Sequence, residues 1–572
     1  MRSLTLAIAA LFSLCGIALG QQPPQSGQVD QSLDKKKDPK EDPSKPKPKI
    51  ELEKRAEMTS EDDTKVRIKV ERLKVVGNKS VPEADLLDIA RAPGGVVGKE
   101  MTLAELKQAA NRITGHYREQ GFGLAWAYIP VQDVKNGTVE IAVVEGRVDK
   151  ILVSGNAHYS AEFIMDHVER LQKQDTLSLD TLERGMLVLN TYPGLSVHST
   201  LRQGDTQGTT DLYLTAEDRF PIGFSLDFDN YGPMSTGSVR LGATVTAFNL
   251  FDMGHWITVR GVTSLDRADG ETVNGRFEYT IPFRNGSRIS AYASTYEYHA
   301  KGAVSPIVPT GTGEVFGVNL NHAILLNHTW NVAAELGFEY KSLKQELLGI
   351  QNGRDELRVL SLGASMEVTD ELEGRWVVSG GLRQGLGAFM GGLKAGDPNS
   401  SRPGSDDAFT RLDLTAYRLQ KITSWLHLVG KISGEWVAHP VVSAEQFALG
   451  GADSVRGYAP FEFMGDRGFV MTLEARLGLP FLESVKDPFT DGRSIVDMVQ
   501  IIGFIDSGQS WRMNPQPGEA GYRILTGAGT GIRINYPDFI SIRFDVGFPV
   551  TSYASTTGFN AFYYVSVVLT LH

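Results

Sequence analysis

Residues 540–545 read Ile540-Ser541-Ile542-Arg543-Phe544-Asp545, and residues 565–572 read Val565-Ser566-Val567-Val568-Leu569-Thr570-Leu571-His572. In the first, Ile540, Ile542 and Phe544 stand opposite Ser541, Arg543 and Asp545. In the second, Val565, Val567, Leu569 and Leu571 form one apolar face opposite Ser566, Thr570 and His572. Period two is the signature of a strand with unlike faces. Working upstream, segments of the same kind start near residues 222, 237, 255, 272, 287, 314, 329, 355, 373, 408, 425, 467, 497 and 523, and these two start near 540 and 561. Gly, Asn, Asp and Pro divide them. An even set of strands about ten residues long closes into a cylinder without an exposed edge, which a bilayer requires. Residues 219–572 are therefore expected to form a transmembrane antiparallel β-barrel of about sixteen strands. A soluble sandwich or propeller fits the steady strand length less well.

Composition narrows the class. The chain has 572 residues, 57 Lys and Arg against 68 Asp and Glu, a net charge of −11, 41% apolar residues and a mean hydropathy of −0.17. These values exclude a helical membrane protein and wholesale disorder, and the acidic balance argues against a nucleic-acid partner. Arg2, the apolar run Leu4–Leu19 and the small-x-small pattern Ala18-Leu19-Gly20 read as a signal peptide over 1–20, cleaved between Gly20 and Gln21. The run is too short for a membrane anchor, and Leu14 before Cys15 is too large for lipoprotein cleavage. Cys15, the single cysteine, would leave with the leader, so disulfides, zinc–thiolate sites and thiol catalysis are not expected. Residues 21–65 are polar, with Lys35-Lys36-Lys37 and Lys45-Pro46-Lys47-Pro48-Lys49, and read as a flexible linker. A short helix over Ile50–Met58 is an open alternative within it.

From Val66 the texture changes. Val66, Ile68 and Val70 lead to Val75-Val76 and the turn Gly77-Asn78. A short helix follows over Pro82–Ala90. Thr102 then caps a second helix with Glu105 as its capping-box partner, its buried face marked by Leu103, Leu106, Ala110, Ile113 and Tyr117. Leu124–Val131 and Thr138–Val144 read as strands joined through Asn136-Gly137, a hairpin signal. The order strand, helix, helix, strand, strand returns after Gly155-Asn156, 78 residues beyond Gly77-Asn78. There, Glu162–Leu171 and Leu179–Leu189 are expected to be helices. Two copies of one α+β module are expected over 66–146 and 147–218.

Enzyme patterns fall away on inspection. Gly98-Lys99-Glu100 lacks the Ser/Thr of a phosphate loop. Gly527-Ala528-Gly529-Thr530-Gly531 lies within an alternating strand with no helix after it, so it reads as small wall residues and not as a dinucleotide loop. The histidines show no metal spacing, and no G-x-S-x-G elbow occurs. No catalytic residue, metal or cofactor is expected. Two segments carry more. Gly450 to Tyr458, containing Val455-Arg456-Gly457-Tyr458, sits in the long connection before the strand near 467, with glycines that permit a tight loop. Gly503-Phe504-Ile505-Asp506-Ser507-Gly508 lies on a strand whose alternation puts Phe504 and Asp506 on one face. That face must be the lumen, because a carboxylate toward lipid is costly. A lumenal Asp506 and an inward-folded Arg456 are natural partners, although an ordinary loop and a wall carboxylate explain the spacing as well.

These segments, together with the two modules, resemble the two-partner secretion transporters of bacterial outer membranes, the exporters of haemolysins and filamentous haemagglutinins. Val455-Arg456-Gly457-Tyr458 is similar to the loop-six signature of the wider barrel superfamily. Gly503 to Gly508 is similar to its F-x-F-D-x-G wall motif, with Ile505 in place of the second Phe. The modules resemble polypeptide-transport-associated (POTRA) domains, with Tyr128-Ile129-Pro130-Val131-Gln132-Asp133 and Val144-Glu145-Gly146 typical of the first. The resemblance implies sixteen strands, two periplasmic POTRA domains and pairing of Arg456 with Asp506. It also implies a monomer among outer-membrane lipids that passes an unfolded secreted exoprotein to the cell surface without nucleotide hydrolysis. A barrel-assembly insertase is the alternative, and two modules favour export. The chain departs from the family in showing no clear pore-plugging helix in the Lys/Pro-rich segment 31–49 and in ending on His572, where Phe is common.

Overall fold

The computed structural model describes residues 26–33, 50–52, 67–91, 98–134, 136–174, 176–206, 209–266, 270–301, 309–394, 396–405, 407–482, 485, 498–537, 539–551 and 560–571. The expected leader with Cys15 and Gly20, the residue Gln21 that would follow its cleavage, the Lys/Pro-rich run and His572 lie outside them. Two short elements come first, α1 (Ser26–Leu33) and β1 (Ile50–Leu52).

The first module comprises β2 (Arg67–Val70), β3 (Arg72–Val76), α2 (Glu83–Arg91), β4 (Lys99–Thr102), α3 (Leu103–Glu119), β5 (Trp126–Tyr128) and β6 (Thr138–Val144). Thr102 accepts a bond from Glu105 N while the Glu105 carboxylate accepts one from Thr102 N, so the capping box is complete. Leu106, Ala109, Ala110, Ile113 and Tyr117 bury the face of α3 against the sheet β3-β6-β5. The expected tight hairpin is replaced by a longer connection. Strand β5 ends at Tyr128, and Asn136-Gly137 (φ 54° and 65°) instead turns the chain onto the start of β3, where Gly137 O accepts from Glu71 N and Arg72 N. Between them the Gln132 amide takes a strand's place: its Oε1 accepts from Glu140 N at 2.8 Å and its Nε2 donates to Glu140 O at 2.8 Å.

The second module comprises β7 (Arg147–Ser154), α4 (Ala161–Asp166), α5 (Leu179–Leu189), β8 (Leu195–Gln203) and β9 (Thr209–Asp218). The single helix expected over 162–171 is broken, because buried Val168 leaves helical geometry (φ −122°, ψ 0°) before a 3-10 turn at Glu169–Leu171. The repeat holds at the level of atoms. Gly77 and Gly155 both have positive φ, 85° and 81°, and a Cβ on either would overlap a carbonyl of a neighbouring strand, Val143 O and Ala216 O. Asn78 Nδ2 donates to Val81 O, and Asn156 Nδ2 to Tyr159 O, both at 2.9 Å. The next turn is held by Glu145 in one module and by Asp218 in the other, each accepting successive backbone N–H groups. Glu145 does more: it also accepts from Tyr117 Oη at 2.8 Å and from Thr176 Oγ1 of the second module at 2.7 Å, so one buried carboxylate joins both modules.

Sixteen strands follow: β10 (Ile222–Asp229), β11 (Arg240–Leu250), β12 (His255–Ser264), β13 (Gly270–Pro282), β14 (Arg288–Ala300), β15 (Pro309–Leu326), β16 (Trp330–Leu347), β17 (Ile350–Thr369), β18 (Gly374–Gly385), β19 (Thr410–Lys421), β20 (Leu426–Val437), then, after the loop pair β21 (Phe447–Leu449) and β22 (Phe463–Gly465), β23 (Arg467–Gly478), β24 (Val499–Trp511), β25 (Tyr522–Tyr536), β26 (Ile540–Pro549) and β27 (Phe562–Leu571). They form a closed antiparallel barrel, sealed between β10 and β27 from Phe224↔Leu571 to Asp229↔Ser566. Leu360, Leu362, Leu412, Leu414, Leu473, Ile501, Ile505 and Ile532 stand on the outer face with large exposed areas, a band that is stable only in lipid. The second module docks on the short turns at one end. Phe248 is buried in its core, and Arg184 Nη2 donates to Asn285 O at 3.2 Å and Ala323 O at 3.1 Å.

The linker is not featureless. Val29 of α1 is fully buried among the lumen-facing Tyr298, Leu343, Leu357, Val359 and Phe409, so the helix lies inside the barrel. With little apolar periodicity of its own, it is held by the cavity that receives it. Ile50–Leu52, where a helix over 50–58 was one expectation, is instead a strand pairing in parallel with β8, from Ile50↔Ser199 to Leu52↔Leu201. Residues 53–58 lie outside the described residues.

Burial pushes the Glu145 carboxyl up, but the donors Lys79 N, Ser80 N, Thr176 Oγ1 and Tyr117 Oη outweigh it, so its pKa falls below the usual 4.5. A depressed carboxyl contributes stability that is present above the unfolded pKa and lost as pH falls through the folded one. Glu145→Ala is expected to lower the urea stability of the modules by roughly 3 kcal/mol at neutral pH. Followed by Trp126 fluorescence, the gap between parent and variant should close below pH 4.5.

Candidate functional site: the lumenal arginine and its wall

The connection between β20 and β23 folds into the lumen. Its limbs pair as β21 and β22, and Gly450, Gly451 and Gly457 (φ 101°, 102° and 100°) shape the tip. The tip presents Arg456, 2% exposed, to the inner wall. Arg456 Nε donates to Asp506 Oδ2 at 2.7 Å and Nη2 to Oδ1 at 3.0 Å, a bidentate pair, and its backbone N reaches the same carboxylate at 3.1 Å. The guanidinium carbon lies 3.4 Å from the Phe504 ring centroid. Alternation thus brings Phe504 and Asp506 to the arginine together and turns Ile505 outward to lipid, where an apolar side chain belongs.

The other expected residues sort clearly. Val455 and Tyr458 are fully buried in one cluster with Leu449, Val470 and Leu525. Tyr458 Oη lies 2.8 Å from Thr526 O and 2.5 Å from Thr551 O and has one proton to donate to either. Gly457 lies so close to the wall that a Cβ would stand 2.8 Å from Phe548 O. Gly508 faces inward, where a Cβ would stand 2.7 Å from Leu449 Cδ1, whereas Gly503 has open space beside it and takes no part.

Several partners were not singled out from the sequence. Arg456 Nη1 also donates to Glu474 Oε2 at 3.0 Å and Asp545 Oδ2 at 3.4 Å, and Arg533, Arg476 and Arg543 neutralise those two carboxylates in turn. The polar faces of β23 and β26 were the available signal, Glu474 with Arg476 and Arg543 with Asp545 two residues apart. Tyr564 Oη accepts from Gly457 N at 3.0 Å and Tyr458 N at 3.2 Å and donates to Tyr458 O at 2.5 Å, clamping the loop backbone. The glycines at 527, 529 and 531 also gain a reason. Together with Gly547 they form a bare groove, where a Cβ would overlap Arg456 O at 527, stand 2.6 Å from Phe504 Cζ at 529, overlap Asp545 at 531 and stand 2.5 Å from Gly457 N at 547. The site is a charge-compensated lock. Removing one member of such a buried pair costs about 3–5 kcal/mol, because it strands the other.

The family model for the haemolysin secretion/activation protein ShlB/FhaC/HecB matches residues 208–534, more than half of the chain. The chain belongs to this family. A second model, the ShlB-type POTRA domain, matches 68–146. Relatives include the heme/hemopexin transporter protein HuxB of Haemophilus influenzae, 25% identical over 503 residues and 84% of each chain. The outer membrane transporter CdiB of Dickeya dadantii is 21% identical over 376 residues, 65% of this chain and 66% of that one. The solved structure of CdiB from Escherichia coli shares the fold, with a TM-score of 0.72 at 20% identity over 90% of this chain and 93% of that one. The protein is a two-partner secretion transporter of the outer membrane, its POTRA region lies in the periplasm, and it delivers a secreted partner to the cell surface.

Filling the groove should expel the tip of the loop. In Gly527→Val, trypsin is expected to cut after Arg456 in the detergent-solubilised transporter while leaving the parent intact there. Equal protection in both proteins would mean that the groove does not seat the loop.

Proposed function

We propose that this transporter holds its pore shut with the Arg456 loop and α1, and opens it for one unfolded exoprotein of the haemolysin or adhesin kind. The observation that carries this reading is the bidentate Arg456–Asp506 pair, which keeps the loop across the lumen. The relatives HuxB, a heme/hemopexin transporter, and ShlB of Serratia marcescens, a hemolysin transporter, support a secreted partner of this kind.

In this reading 1–20 is a leader removed between Gly20 and Gln21, 21–65 a linker bearing α1 and β1, 66–146 and 147–218 the POTRA domains, and 219–572 the barrel. The transporter works as a monomer among outer-membrane lipids. It needs no catalytic residue, because passage is a matter of capture, unlocking and biased diffusion. Capture uses strand addition: an extended segment of the exoprotein joins the edge of a POTRA sheet through main-chain hydrogen bonds. The pairing of β1 with β8 supports this, since that edge already takes a strand from the chain's own linker. An incoming segment would compete with β1 there, tying capture to the linker that carries α1. Folding of the exoprotein outside then prevents its return.

The same pair fixes the loop's course along the wall that a passing segment must follow, so Arg456→Ala is expected to cut the amount of exoprotein in the medium at least about tenfold while the barrel remains in the outer membrane. Undiminished export would refute the role given to the lock. Deleting 66–146 is expected to abolish co-purification of the exoprotein with the transporter, and retained co-purification would remove the first POTRA domain from capture.

A further inference from the structure

The lumenal loop has a second anchor, far from its tip. Its first limb enters through Val441, Val442 and Ser443, and there Glu445, 1% exposed, meets three cations. Arg411 Nη1 lies at 2.9 Å, Arg383 Nη2 at 3.5 Å and Lys341 Nζ at 3.7 Å. They stand on β19, β18 and β16, strands that take no part in the tip lock.

The two anchors differ in what they leave behind. The three cations already face carboxylates of the wall: Glu339 lies 2.8 Å from Arg383 and 3.4 Å from Lys341, and Asp413 and Glu435 lie 2.9 Å and 3.8 Å from Arg411. Withdrawing Glu445 therefore leaves three wall cations against three wall carboxylates, a neutral patch. At the tip the count also stays even, with Arg476, Arg533 and Arg543 against Glu474, Asp545 and Asp506, but the three arginines bond Glu474 and Asp545; the cation bonded to Asp506 among the described residues is Arg456, so withdrawing the tip strands that buried carboxylate. The base is built to let go more easily than the tip.

The base also carries the N-terminal helix. Gln31 Nε2 donates toward three carbonyls of the same limb, Ser443 O at 3.3 Å, Ala444 O at 3.0 Å and Gln446 O at 2.8 Å. Val29 packs on Val441, Val442 and Ala444 in the same buried cluster. We propose that Glu445 is a releasable positioning residue and that α1 leaves the lumen together with limb 443–446, which swings from Val441, held by Asp466 Oδ1 at 2.9 Å and Arg402 Nη1 at 3.1 Å, while the Arg456 tip stays locked. This rests on the reading that α1 and the loop close the resting pore, but it concerns the order of release. Its test follows the helix directly and not export.

The test uses the full chain in lipid vesicles, with Cys15→Ser and Val29→Cys as the single thiol. Val29 is fully buried, so a membrane-impermeant maleimide reacts only when the helix has moved. Glu445→Gln is expected to speed labelling about tenfold, a shift of about 1.4 kcal/mol in the opening equilibrium. Glu445→Asp should recover most of the parent rate, and Arg456→Ala should leave it near the parent rate. Gln31→Leu breaks the contact between helix and limb without touching the wall charges, and should speed labelling even if Glu445→Gln assembles poorly. The proposal is overturned if Glu445→Gln in a heat-modifiable, folded barrel labels at the parent rate. It is also overturned if Arg456→Ala accelerates labelling as much as Glu445→Gln, or if Gln31→Leu has no effect.

Discussion

A sheet that crosses lipid cannot leave its last strand unpaired, because every bare N–H and C=O in the hydrocarbon costs several kcal/mol. The bonds between β10 and β27 meet that demand, and the interior exists because they do. Once the wall is a ring, each strand has an inside and an outside, and the outside is committed to apolar residues. Charge at the depth of the lipid is then driven inward, where it must find partners. The Arg456 lock and the Glu445 anchor are two solutions to that one problem, on different arcs of the ring.

What the sequence disclosed follows from this. A period-two pattern is dictated locally by lipid on one side, so all sixteen barrel strands were legible within a few residues of their starts. Phe504 and Asp506 were placed inward by the same rule. The capping box at Thr102 and the paired turns at Gly77 and Gly155 were legible because each depends on residues close along the chain.

The features that escaped depend on distant partners. Helix α1 is stable because Val29 finds a buried cluster and Gln31 finds carbonyls more than 400 residues away, and a window of eight mostly polar residues cannot reveal that. β1 is a strand only because β8 offers an edge. The Asn136-Gly137 pair signalled a turn correctly but not which strands it joins, since Gln132 replaces the missing ladder with its side chain. The glycines of β25 read as small wall residues, and what they make room for became visible only with the loop in place.

The carboxylate of Glu145 has a mechanical meaning. Tyr117 and Ser80 in one module and Thr176 in the other all close on it, so the joint between the modules resists bending. Beyond that joint, the second module grips the turn at Phe248 and the carbonyls of Asn285 and Ala323 under the wall. A stiff elbow of this kind acts as a lever: tension applied to the far module arrives as torque at the rim of the ring, instead of being dissipated in a slack hinge.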